Sequence, residues 1–230
     1  MVGYEGDGIE SKNNRYTRGL AATRPWMATV AYVAAEAMPP PTTIDALLGQ
    51  GHVGITVYLQ EPAKTEAALR WPKESWQRLN ARRAIVSLNA FPPATAALAP
   101  LIEANSRCTF LFSHLGLPGR HRAAPTAEAA RERLAPLLRL AAFPNVLVKI
   151  SGLYAISDPA HAYPHDSAAP FLEILFERFG AARCCWGSDF SPALDFVSFA
   201  QAVDIPWLAR LGNADFERVM GDNLLELLAR

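Results

Sequence analysis

The sequence predicts an α/β fold built on a parallel sheet, and three observations predict it. Apolar runs of strand length recur along the chain, at residues 27–33, 53–59, 84–88, 108–112, 146–150 and 183–186. The runs are largely continuous rather than alternating, which is how strands covered on both faces read. Segments of helical character separate them, so strand and helix alternate at least five times, the rhythm of βαβ units.

The helical segments carry their own signals. Residues 42–49 open on a capping Thr42 and close on Gly49. Residues 72–81 follow a Trp-Pro start, and 94–104 are alanine-rich. Residues 127–142 form a long segment in which Pro136 predicts a kink. Residues 167–179 stop at Gly180, and 213–229 close the chain. Two architectures fit this order: an open doubly wound sheet, or a closed (β/α)₈ barrel. No Gly-x-Gly-x-x-Gly follows any strand, which removes the dinucleotide-binding version of the open sheet. Six strands are placed, and residues 2–4 read as the tail of another. A full barrel takes eight strands and about 250 residues.

Bulk composition narrows the partners. Lys plus Arg and Asp plus Glu both number 22, so no net field draws nucleic acid or anionic membrane. Half of the 230 residues are hydrophobic, the balance of one globular domain spanning residues 1–230. No apolar run reaches the ~18 residues that span a bilayer. Residues 1–10 lack the basic and apolar regions of a signal peptide, so a soluble cytoplasmic protein is the expectation. Cys108, Cys184 and Cys185 make neither a disulfide framework nor a zinc-knuckle spacing, and read as small apolar filler.

In parallel α/β folds chemistry gathers at the C-terminal ends of strands. Here the later strands end on a histidine, a lysine and an aspartate. His114 follows 108–112 and precedes a Gly-Leu-Pro-Gly turn; Lys149 interrupts an apolar strand, sharing a face with Leu147 and Ser151; Asp189 follows 183–186 in Trp-Gly-Ser-Asp-Phe. A buried lysine needs a partner, and Asp189 is the natural one if the strands are neighbours. Each has a plainer reading as well: a satisfied strand-end histidine, a snorkelling lysine, a helix N-cap aspartate. His161 and His165 lie in a proline-rich loop at the same end, His121 lies in the loop after His114, and His52 lies at the opposite end. A Gly-x-Ser-x-Gly elbow and a His-Glu-x-x-His motif are both absent from the sequence, which disfavours serine-nucleophile and zinc-protease chemistry.

Five segments in order carry a family resemblance. They are Ser113-His114-Leu115-Gly116-Leu117-Pro118, the stretch from Asn145 to Tyr154, Tyr163-Pro164-His165-Asp166, the stretch from Arg183 to Phe190, and the stretch from Gly221 to Leu228. With Asn13-Asn14-Arg15-Tyr16 as a first helix, the chain resembles the amidohydrolase-related family, in the branch of pyrone-dicarboxylate lactonase and sugar-lactone hydrolases. The resemblance implies a (β/α)₈ TIM-type barrel, N-terminally incomplete, with strand one and most of strand two missing. It places His114 at the end of strand six and Asp189 at the end of strand eight. It implies a lactonase-like hydrolase acting on a small molecule, a carboxylated or sugar-derived cyclic ester, with Asp189 as general base on water and His114 polarising the carbonyl. Lys149, Asn89, Ser151, Tyr154 and His165 would bind substrate. The family's His-x-His is absent from this sequence, so His114 and Asp189 are the metal ligands if one divalent ion, zinc or manganese, is bound at all. Two alternatives stand beside this: a metal-dependent decarboxylase or amide hydrolase on the same barrel, and a non-catalytic binding protein. An open barrel leaves strand edges unpaired, so a homo-oligomer is a further expectation.

Overall fold

The computed structural model describes residues 1–6 and 12–229. Its contacts divide into two compact units, residues 1–111 and 112–230. The strands follow chain order within the parallel sheet.

In the first unit β1 (Val30–Tyr32), β2 (Gly54–Leu59) and β3 (Ile85–Ala90) pair in parallel, with Val30 opposite Gly54, Ile55 opposite Val86 and Tyr58 opposite Asn89. All six residues of β3 are buried, as its unbroken apolar run requires. At Gly54 a Cβ would overlap the Ile85 carbonyl, so only glycine lets β2 start this close to β3. Val2 forms a parallel bridge to Val30, which places the expected strand tail beside β1. Beside it lies α1 (Asn13–Ala22), whose Asn14 amide pairs with the β1 backbone at both ends: Nδ2 donates to the Tyr32 carbonyl at 2.9 Å, and Oδ1 accepts from Tyr32 N–H at 2.7 Å. Four helices follow on this unit's connections: α2 (Pro41–Gly49), α3 (Pro62–Leu69), α4 (Lys73–Ala81) and α5 (Pro92–Ala97), with α6 (Ala99–Ala104) continuing the last. Their apolar sides close on the sheet residues Ile55, Val57, Leu59, Val86 and Leu88 through Ile44, Leu79, Leu98 and Ile102, all nearly without exposure.

The unit boundary falls within β4 (Thr109–Phe112). The second unit pairs β5 (Val146–Ile150) with β6 (Cys184–Trp186) in parallel, Lys149 opposite Cys185. Two long helices pack together beside them, α7 (Ala127–Leu140) and α8 (Ala169–Phe179). Thr126 Oγ1 caps α7 by accepting from Ala129 N–H at 3.2 Å, and Pro136 is accommodated inside it. Gly180, at φ +70°, ends α8. After β6 come two short helices, α9 (Phe190–Ala193) and α10 (Phe199–Val203), the latter closed by a Ser198–Gln201 capping box. The chain ends in α11 (Asn213–Glu217), a π-helical turn at Arg218–Asp222, and α12 (Asn223–Leu228).

Several boundaries depart from the sequence expectation. The run 27–33 pairs only over Val30–Tyr32. The segment 94–104 divides at Leu98, because Pro100 in the first turn of α6 cannot continue the hydrogen bonding of α5. The closing segment 213–229 is interrupted by its π turn. Helices α3 and α10 were not expected, and α9 was implied only by the N-cap reading of Asp189. Alanine and threonine dominate α3, so it carries little apolar periodicity to read. Among the described residues no helix is long and apolar enough to cross a membrane.

Candidate active site

The second unit gathers five of the predicted residues. His114 sits in a turn directly after β4, Lys149 on β5, Ser151 and Tyr154 just past β5, and Asp189 just past β6. Strand alternation sorts β5 as expected: Val146, Val148 and Ile150 are buried, while Leu147 and Lys149 are partly exposed on the other face.

Ser151 Oγ lies 3.1 Å from His114 Nδ1 and accepts from the His114 backbone N–H at 3.4 Å. His114 Nδ1 stands 3.8 Å from Asp189 Oδ2, with both side chains largely shielded, 15% and 21% exposed. Tyr154 O–H donates to the same Asp189 oxygen at 2.7 Å. Lys149 Nζ donates to Ser113 Oγ at 3.2 Å, and its stem lies over Gly187, where a Cβ would crowd it. Gly152, at φ +60°, turns the chain after β5; a Cβ there would land on His114 Nδ1.

The electrostatics follow from burial and from three ionisable groups close together. Burial pulls the His114 imidazole below its ordinary value; Asp189 opposes that shift and Lys149 adds to it. Burial also lowers the Lys149 ammonium, with Asp189 and Cys185 pulling it back up. His114 is thereby a neutral imidazole at neutral pH. His114 and Asp189 both hold left-handed backbone, φ +53° and +51°, as does His165 at +65°. Such conformations cost energy in non-glycine residues and gather at functional sites.

A small cleft opens beside the cluster, bounded by Ser151, Tyr154, His165, Ser188, Gln201 and Asp204 among others. His114 and Asp189 are not among the residues that bound it, but Ser151 and Tyr154, which bond to them, are. His165 faces the cleft, but its Nδ1 is engaged by Ser157 Oγ at 3.0 Å, and burial lowers its pKa. Trp186 Nε1 donates to the Ala202 carbonyl at 3.3 Å, which ties α10, part of the cleft wall, back to β6. Asn89 belongs to the first unit, buried at the end of β3.

Four contributors escape a reading of the sequence: Ser113 under Lys149, Gly152 under His114, Phe196 stacked on Tyr154 at 5.0 Å, and Asp204, which accepts from Tyr163 O–H at 2.7 Å. Gly152 had a signal, since a glycine directly past a strand implies a sharp turn. Phe196 had none.

As for a metal, no group of three or more His, Cys, Asp and Glu side chains converges among the described residues. A catalytic zinc takes three protein ligands. His114 and Asp189 supply two, and the nearer atom of each faces a hydroxyl, Ser151 on Nδ1 and Tyr154 on Oδ2. This donor set does not fit a resident zinc centre.

The amidohydrolase family model matches residues 8–230. Among solved structures, the chain is similar to an amidohydrolase from Burkholderia multivorans with bound zinc, at 19% identity and TM-score 0.78, covering 96% of this chain and 80% of that one. It is similar also to a probable 2-pyrone-4,6-dicarboxylic acid hydrolase from Acinetobacter baumannii with citric acid bound, at 18% identity and TM-score 0.73, covering 100% of this chain and 82% of that one. A third likeness is to an amidohydrolase from Bifidobacterium longum subsp. infantis, at 17% identity and TM-score 0.61, covering 94% and 75%. At these identities the structural likenesses speak for the fold. No curated protein matches the chain.

Proposed function

The chain belongs to the amidohydrolase family, and from that premise we propose that it opens a lactone or similar cyclic ester by Asp189-assisted attack of water. The observation that carries this reading is the 3.8 Å approach of His114 Nδ1 to Asp189 Oδ2, two strained strand-end residues brought together beside a cleft.

Asp189 is the base. As a water oxygen forms its bond to the lactone carbonyl carbon, the Asp189 carboxylate takes the water's proton, a contribution of about 10²–10⁴-fold. His114 is the electrophile. With Ser151 O–H as donor to Nδ1, the neutral ring would carry its proton on Nε2, and that N–H would meet the carbonyl oxygen as it gains charge. Such a donor is worth about 10²–10³-fold. The tetrahedral intermediate then collapses with cleavage of the ring C–O bond, and the proton held by Asp189 passes to the departing alkoxide. The products are the hydroxy acid and a restored carboxylate on Asp189. Lys149, held by Ser113, lies within electrostatic reach of Asp189. Ser151 orients His114, and His165 meets the body of the substrate in the cleft. No step passes through a metal, because the donor set does not fit one.

The test is a panel of five- and six-membered lactones, sugar-derived and carboxylated, followed by acid release in weakly buffered indicator. The wild-type chain turns over at least one of them, and Asp189→Asn turns it over about 10²–10⁴-fold more slowly. Equal turnover by Asp189→Asn removes Asp189 from the reaction.

A further inference from the structure

We propose that Tyr154 is the positioning residue that fixes Asp189, occupying Oδ2 so that Oδ1 is the oxygen that receives the water's proton; this rests on the reading of Asp189 as the base. Three observations carry it.

The first is the bond itself. Tyr154 O–H reaches Asp189 Oδ2 at 2.7 Å across 35 residues of sequence, tighter than the 3.8 Å approach of His114 Nδ1 to that oxygen. A phenol has one proton to donate. While that proton is on Asp189, Tyr154 cannot give it to a substrate, although the side chain helps to bound the cleft.

The second is what holds the tyrosine. Its ring stacks on Phe196 with centroids 5.0 Å apart and planes 17° apart. Its backbone is set by the turn at Leu153–Ala155, directly after the left-handed Gly152 that cradles His114. The glycine that seats the imidazole therefore also launches the hydroxyl that seats the carboxylate.

The third is that Asp189 needs holding. Its backbone lies at φ +51°, away from the favoured regions, and its side chain makes no cap to the helix that follows. A carboxylate on a strained turn keeps one orientation only when its oxygens are engaged. His114, Lys149 and Tyr154 all face Asp189. Of these, Tyr154 makes the short, directed bond.

The experiment joins turnover to a spectroscopic reading that needs no substrate. Tyr154→Phe keeps the ring and the stack and loses only the hydroxyl. On the lactone found above, kcat falls by about 10- to 100-fold, the scale of a misplaced reacting group, while KM stays within about twofold. Phe196→Ala, which removes the stack but not the hydroxyl, lowers kcat in the same direction and by less. In parallel, the protein is labelled with ¹³Cζ-tyrosine, and Tyr154→Phe assigns the Tyr154 signal among six tyrosines. That signal moves upfield in Asp189→Ala, which takes away the acceptor.

A rise in KM with kcat unchanged would make Tyr154 a substrate-binding residue and overturn the proposal. An unmoved Cζ signal in Asp189→Ala would overturn it too. If the wild-type chain opens no lactone, the functional reading falls on its own, and the Cζ comparison still decides whether Tyr154 holds Asp189.

Discussion

Gly152 lies against the imidazole of His114 with no room for a Cβ between them, which makes a residue without a side chain part of the site. Its left-handed φ of +60° turns the chain after β5, and its bare Cα lets the histidine ring sit where Ser151 can reach Nδ1.

Gly152→Ala therefore has two costs. The left-handed backbone disfavours alanine by roughly 1 kcal/mol or more, and the new methyl displaces the His114 ring. Thermal unfolding will show a lowered Tm. Turnover will fall by more than the loss of folded protein accounts for. A variant as active and as stable as the wild type would mean that the close approach does not position His114.

The histidines predict how stability changes with pH. Burial lowers the folded-state pKa of His52, His114 and His165 below 6.5, the value for the unfolded chain. Below pH 6.5 the unfolded chain takes up protons that the folded chain refuses, so acidification favours unfolding. The stability present above about pH 6.5 is lost as pH falls from there toward the folded values. The slope reaches at most about 1.4 kcal/mol per pH unit for each histidine. Urea unfolding at pH 7.5 and 5.5 measures it. The expected result is a lower midpoint at pH 5.5, with part of the difference removed by His52→Gln, a site remote in sequence from the reaction residues. A midpoint that rises on acidification contradicts this account.

The donor set predicts the response to metal removal. Dialysis against a chelator leaves lactone turnover within about twofold of the untreated protein, because two protein ligands fall short of a zinc site. Metal content by elemental analysis stays well under one ion per chain. Activity lost to chelator and restored by zinc or manganese would show that other groups complete a centre around His114 and Asp189.

Much of this site is legible in the sequence because strand ends in parallel α/β folds are marked locally. Each of His114, Lys149 and Asp189 follows or interrupts an apolar run, and position alone singles them out. Their pairing is less legible. Lys149 was expected to turn to Asp189, which does act on its charge, but its bond to Ser113 was not expected, because that depends on two strand ends lying side by side. Tyr154 was expected to meet substrate; its side chain helps to bound the cleft and its hydroxyl donates to Asp189. Nothing in the local sequence separates those two fates. Phe196 is silent for the same reason: a stack is a relation in space between segments about forty residues apart. In the fold, continuous apolar runs located all six strands. The short helices after β6 carry no periodic stripe, and the π turn before α12 breaks a pattern that reads as one helix.

The central claim is that Asp189 takes the proton of the attacking water, and Asp189→Asn tests it most directly. The amide keeps the size of the side chain and an oxygen for Tyr154 but cannot act as a base. With circular dichroism unchanged, lactone turnover should fall by about 10²–10⁴-fold, the contribution of a positioned base. Turnover equal to that of the wild type would contradict the account and leave the pair of His114 and Asp189 without its assigned role.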